Sequence, residues 1–201
     1  GTLTVSPTDV EIVANITGGS FEYDGQPHGA TVTLEGLPDG LTGTGTSTQT
    51  VTNVADGEVT ATIDSVTITD ADGNNVTAAF TNIDTSATAT IKVTPAPLTV
   101  VTDTASRPYN GEPLTAGGAV TGWKNGGSAS LVTTGTQTEV GTSDNTYVID
   151  WTNASAKEDN YEVTSETIGT LTVTPAGTTD FGITATPYTG TYDGISHDGI
   201  I

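Results

Sequence analysis

The sequence predicts an all-β fold, an elongated tandem array of small β-sandwich-like units, Ig-like or β-grasp-like, and three observations predict it. Threonine fills 45 of the 201 positions, and its β-branched side chain is stiff at χ1 and suits a pleated, half-exposed strand better than a helix. Apolar residues alternate with polar ones at period two. Turn pairs punctuate the alternating runs, among them Asp24-Gly25, Asp39-Gly40, Asp56-Gly57, Asp72-Gly73 and Asn110-Gly111.

In chain order, alternation predicts strands at residues 59–63, 66–68 and 89–94. In the last of these Ala89, Ile91 and Val93 face one way and Thr90, Lys92 and Thr94 the other. Two more follow at 148–152 and 170–174, the second with Leu171 and Val173 set between threonines. No run of ten residues carries a helical period, and residues 153–160 have room for a single turn.

The chain repeats itself. Gly1-Thr2-Leu3-Thr4-Val5-Ser6-Pro7 returns as Gly169-Thr170-Leu171-Thr172-Val173-Thr174-Pro175, with a looser copy at residues 90–95. Tyr23-Asp24-Gly25 returns as Tyr109-Asn110-Gly111, 86 residues on, and again as Tyr192-Asp193-Gly194. Gly36-Leu37-Pro38 aligns with Gly122-Trp123-Lys124, and Thr48-Gln49-Thr50 with Thr136-Gln137-Thr138. Four anchors in one order define the units: residues 1–7 as the last strand of a preceding repeat, 8–95 and 96–175 as two repeats, and 176–201 as the start of a third. The extra length of the first repeat falls around residues 64–75. Each unit closes on a proline, which cannot donate to a ladder and biases its neighbour to extended geometry, so successive units join through short, stiff links. With neither end respecting the repeat, the expectation is a window on a longer array. The competing expectation is strand exchange at Leu3 and Val5, which would assemble copies of the chain into an extracellular filament.

Charge and composition exclude several classes of function. With 24 acidic residues against 4 basic ones and a net charge of −20, the chain cannot neutralise phosphates, so no nucleic acid and no anionic membrane surface is expected as a partner. There is no cysteine, hence no disulfide, thiolate metal site or thiol nucleophile. Apolar runs are too short to insert in a membrane.

The Tyr-Asx-Gly turn, the Gly135-Thr136-Gln137-Thr138 stretch ending at Gly141, Asp159-Asn160-Tyr161 and the closing Gly-Thr-Leu-Thr-Val-Thr-Pro strand together resemble the MBG and YDG type tandem repeats of bacterial surface proteins. The resemblance covers essentially the whole chain and is clearest in the second repeat; in the first, Asn74-Asn75-Val76 stands where Asp-Asn-Tyr is expected. It implies a secreted or wall-anchored adhesin at the bacterial cell surface, whose repeats lift a binding domain away from the cell, with no enzymatic activity and no cofactor. The partners it implies are the neighbouring repeats.

Asp70, Asp72 and Asn74 pack oxygen ligands into one short loop, as calcium requires, although Asp-Gly is also an ordinary hairpin turn and no closing Glu follows. Trp123 and Trp151 are candidates for stacking on a host glycan or glycoprotein, with Trp123 in the place of Leu37 and therefore also a packing residue. His28 and His197 each follow their tyrosine by five residues, but the second repeat has Leu114 there, which favours packing. Two histidines, no cysteine and one arginine assemble no nucleophile, base and acid. Lys92 falls on a polar strand face and Lys124 and Lys157 in turn-like segments, whereas a lysine that forms an internal amide needs burial beside a carboxyl group.

Overall fold

Threonine-rich alternation becomes strand after strand. In the computed structural model, residues 6–177 and 189–196 are described, and among them no α-helix occurs. The first stretch carries β1 (Ile12–Thr17), β2 (Gly19–Glu22), β3 (His28–Gly29), β4 (Thr31–Glu35), β5 (Thr42–Thr46), β6 (Thr50–Val51), β7 (Val59–Thr62), β8 (Ser65–Thr69), β9 (Ile83–Asp84) and β10 (Thr88–Thr94). The second carries β11 (Ala96–Thr102), β12 (Ala105–Pro108), β13 (Gly118–Thr121), β14 (Ser130–Thr133), β15 (Gly141–Asp144), β16 (Tyr147–Asp150), β17 (Tyr161–Thr167) and β18 (Thr170–Thr174). Single 3-10 turns lie at Val54–Asp56, Thr77–Ala79 and Glu158–Asn160, the last inside the segment with room for a single turn. Leu3 and Val5 lie outside the described residues, as does His197.

The chain divides into two compact units. Unit 1 comprises Gly1–Leu98 together with Gly122–Ser128 and Ser155–Glu162; unit 2 comprises Thr99–Thr121, Ala129–Ala154 and Val163–Ile201. In unit 1 the strands order as β4-β1-β9 and β2-β10-β7, with two-stranded pairs β3-β6 and β5-β8. Period two sets the core: on β10, Ile91 and Val93 are buried while Lys92 between them is exposed. Val51, Ala61, Ile91 and Val93 form one apolar cluster, with Phe21, Tyr23 and Val54 packed against it. At Gly18 the chain passes from one sheet to the other. A Cβ there would sit 2.1 Å from the Thr90 carbonyl oxygen, so only glycine fits the crossing.

In unit 2 the orders are β13-β11-β17 and β12-β18-β15, with β14-β16 as a pair. Leu114, Leu171 and Val173 are its buried cluster, with Tyr109 against it. Asn145 is fully buried and its Nδ2 donates to the carbonyls of Asp103, Ala116 and Gly117 at 3.0, 3.3 and 3.1 Å.

The pairing registers recur along the sequence. Val13↔Glu35 to Ile16↔Val32 on β1 and β4 match Thr99↔Thr121 to Thr102↔Gly118 on β11 and β13, each residue 86 further on. His28↔Val51 matches the Leu114↔Gln137 bridge at the same interval, so His28 holds a ladder position. The parallel pairs Ile91↔Gly19 to Thr94↔Glu22 match Leu171↔Ala105 to Thr174↔Pro108. Two details depart from the sequence alignment. By the Leu114↔Gln137 bridge, Gln137 takes the place of Val51 and not of Gln49. The 3-10 turns at Thr77–Ala79 and Glu158–Asn160 correspond, 81 residues apart, so Ala78-Ala79-Phe80, not Asn74-Asn75-Val76, occupies the place of Asp159-Asn160-Tyr161. The physical reason is a shift in pairing: with Ile91 in the place of Leu171, the pairs of β7, Val59↔Ile91 to Thr62↔Thr88, lie two residues further along than those of β15, Gly141↔Val173 to Asp144↔Thr170, upstream of the Asp70 hairpin.

Candidate functional site

The recurrent Tyr-Asx-Gly motif has one local cause. In all three copies the second residue accepts a hydrogen bond from the backbone N–H two residues on: Gln26 to Asp24 at 2.8 Å, Glu112 to Asn110 at 3.0 Å and Ile195 to Asp193 at 3.0 Å. The glycine between them stands at φ +80°, +83° and +76°, where a side chain is strained. At the first copy the Gln26 N–H, and next the His28 ring, lower the Asp24 carboxyl below its ordinary value. His28 Nε2 lies 2.9 Å from Asp24 Oδ1, and its ring stacks on Phe21 at 4.5 Å and 9°. It is a turn brace.

Within unit 1, residues 122–128 and 155–162 close over this turn. A Cβ on Gly25 would lie 2.4 Å from the Asn125 Nδ2, so the turn and Asn125 touch. Lys124 Nζ reaches Glu22 at 2.9 Å. Tyr161, buried, sets its ring edge-on to Tyr23 at 5.4 Å and to Trp123 at 5.0 Å, geometries that the ring quadrupoles favour. The Lys124 backbone N–H donates to the Tyr161 hydroxyl, and the hydroxyl donates to the Lys124 carbonyl. Burial raises the Tyr161 pKa.

Beside the aromatics sits an amide latch. Asn160 is fully buried. Its Oδ1 accepts from the Val54 N–H at 2.8 Å, capping the 3-10 turn, and its Nδ2 donates to Asn53 Oδ1 at 2.9 Å. Lys157 Nζ donates to the same oxygen at 3.3 Å. Asp56 takes the N–H groups of Asn53 and Thr52, which lower its pKa, and the Lys157 charge adds to that. Two of the chain's four basic residues, Lys124 and Lys157, are thus spent here. Both lysines fall in the turn-like segments that the sequence marks, and Asn160 belongs to the Asp159-Asn160-Tyr161 motif, whereas nothing in the sequence singles out Asn53. The scarcity of lysine in so acidic a chain is the signal that points to Lys124 and Lys157.

The remaining candidates fall elsewhere. The Asp70 carboxylate is taken up by its own loop, accepting from the N–H groups of Asp72 and Asn74 and from Asn74 Nδ2, the last of these the first cause of its lowered pKa. That arrangement closes a hairpin, with Asp72 and Asn74 exposed around Gly73. Among the described residues no group of three or more His, Cys, Asp or Glu side chains is placed to hold a metal. Trp123 and Trp151 are half-buried. Lys92 lies on its exposed strand face, 3.8 Å from Glu58. Gln49 and Gln137 brace turns, the first through Ser47, Thr62 and Asp64, the second through the Glu139 carbonyl.

No family model matches the chain, and neither a curated protein nor a solved structure matches it.

Proposed function

We propose that the chain is a tension-bearing segment of a stalk, a tandem array of β repeats that spaces the binding part of a secreted or wall-anchored bacterial adhesin away from the cell. The observation that carries this reading is the direction of the end strands. β2, near the start of the first repeat, pairs in parallel with β10, its last strand, over Gly19 to Glu22 and Ile91 to Thr94, and Tyr23 N–H extends the ladder to the Thr94 carbonyl at 2.9 Å. β12 and β18 repeat the arrangement in unit 2, with Tyr109 N–H on the Thr174 carbonyl at 2.8 Å.

Force applied to the two ends of such a unit pulls these neighbours in opposite directions along their own axes. Every hydrogen bond in the ladder is then loaded at once; in an antiparallel hairpin pulled from its open end they would break one by one. A ligand-binding role demands no such arrangement. The recurring registers support the tandem reading, as does the resemblance to MBG and YDG type repeats, and strong acidity keeps such a stalk soluble.

Light scattering coupled to small-angle X-ray scattering tests it. A spacer gives the mass of one chain at every concentration and an elongated profile. Growth into fibres with concentration would overturn the passive stalk in favour of a self-assembling subunit, and a compact profile would overturn the array.

A further inference from the structure

Unit 1 shows what the Tyr-Asx-Gly face is for when it is covered. Gly25 abuts Asn125, Tyr23 meets Tyr161, and the Val54 N–H is capped by Asn160. The equivalent face of unit 2 is Tyr109-Asn110-Gly111 with Glu139 and Val140, each 86 residues on. There a Cβ on Gly111 would meet nothing within 4 Å, and Val140 is 53% exposed although its counterpart Val54 is half-buried. The rest of the face is built alike: the Asn110 turn has the same geometry, and Tyr109 packs against the Leu114, Leu171 and Val173 cluster as Tyr23 packs against that of Val51, Ala61, Ile91 and Val93.

We propose that this face of unit 2 docks a further copy of the same β unit, which would enter it through its own counterparts of residues 122–128 and 155–162. The inference rests on the stalk reading and gives it a partner. The chemistry favours that occupant. In unit 1 the face is met by a Trp-Lys-Asn-Gly loop and an Asp-Asn-Tyr turn, which bring the lysines Lys124 and Lys157. Unit 2 offers Glu139 where unit 1 has Asn53, and Glu112 is exposed nearby, so the counterpart of Lys157 would find a carboxylate in place of an amide oxygen. Val140 stands where Val54 gives its backbone N–H to Asn160.

The test is the full chain with residues 96–175 duplicated in place after Pro175, compared with the parent chain by backbone amide hydrogen exchange. Docking predicts that exchange at Gly111 and Val140 slows at least tenfold in the duplicated chain. Val140→Asp should abolish that protection while leaving the amides of β18 protected, and Val132→Asp, at another exposed valine, should leave it intact. Equal exchange at Val140 in both chains, with the added copy protected in its own strands, overturns the proposal but not the stalk. Protection that grows only with concentration, together with a rising scattering mass, assigns the face to neighbouring chains and overturns both.

Discussion

Asn145 and Asn160 are fully buried amides, and each carries a backbone problem that no apolar residue could solve. Asn145 Nδ2 serves three carbonyls in unit 2, while its Oδ1 has no hydrogen-bond partner, so its worth lies wholly on the donor side. Asn145→Ala takes this donor from the Asp103 carbonyl, while the Ala116 and Gly117 carbonyls keep the Thr133 hydroxyl and the Asp103 N–H, and should cost about 1–3 kcal/mol in urea unfolding. Asn160→Ala leaves the Val54 N–H unpaired and should cost unit 1 a similar amount, about 1–3 kcal/mol. Asp64 offers a pH signature. Its carboxylate accepts from the hydroxyl and the N–H of Thr48, both at 2.6 Å, and these lower its pKa. A lowered folded pKa contributes stability that is present above the unfolded value of about 3.9 and is lost as pH falls through the folded value. Asp64→Asn should therefore lower Tm at pH 7, and the gap to the parent should close as pH falls from the unfolded value through the lowered folded one; a gap constant with pH would assign the effect to shape instead. None of these partners is visible in the sequence: Asn160 and Asn53 are 107 residues apart. The Tyr-Asx-Gly turns were legible because their chemistry is local.

Strands were the legible level. Where one face is buried and the other wet, alternation exposes the pattern, as at Ile91, Val93, Leu171 and Val173. The parallel pairing of β2 with β10 was not legible, because alternation sets which face a residue takes and leaves the choice of neighbour open. Nor was the sheet crossing. Unit 1 turns it with Gly18 pressed on the Thr90 carbonyl, whereas unit 2 has Thr104 in that place, 86 residues on, with its hydroxyl accepting from the Thr170 N–H at 3.1 Å. The two crossings should respond differently. Gly18→Ala forces a Cβ into backbone and should cost unit 1 about 1–3 kcal/mol, while Thr104→Ala loses one exposed hydrogen bond and should cost about 0.5–1.5 kcal/mol. Chemical denaturation of the two variants side by side reads the contrast.

For the whole molecule, charge and strand direction dominate. A net charge of −20 on 201 residues repels itself, so added salt should raise Tm through screening; a Tm that falls with salt would mean that specific ion pairs such as Lys124 with Glu22 outweigh the general repulsion. The central claim is that the repeats bear load through parallel end strands. Single-molecule pulling of the chain from its two ends tests it most directly. The account predicts two separate high-force events, each releasing roughly 25–30 nm of chain, as about 80 residues at 3.3–3.6 Å apiece require. Extension at low force without distinct events, from a chain that is folded by circular dichroism before it is pulled, would contradict it.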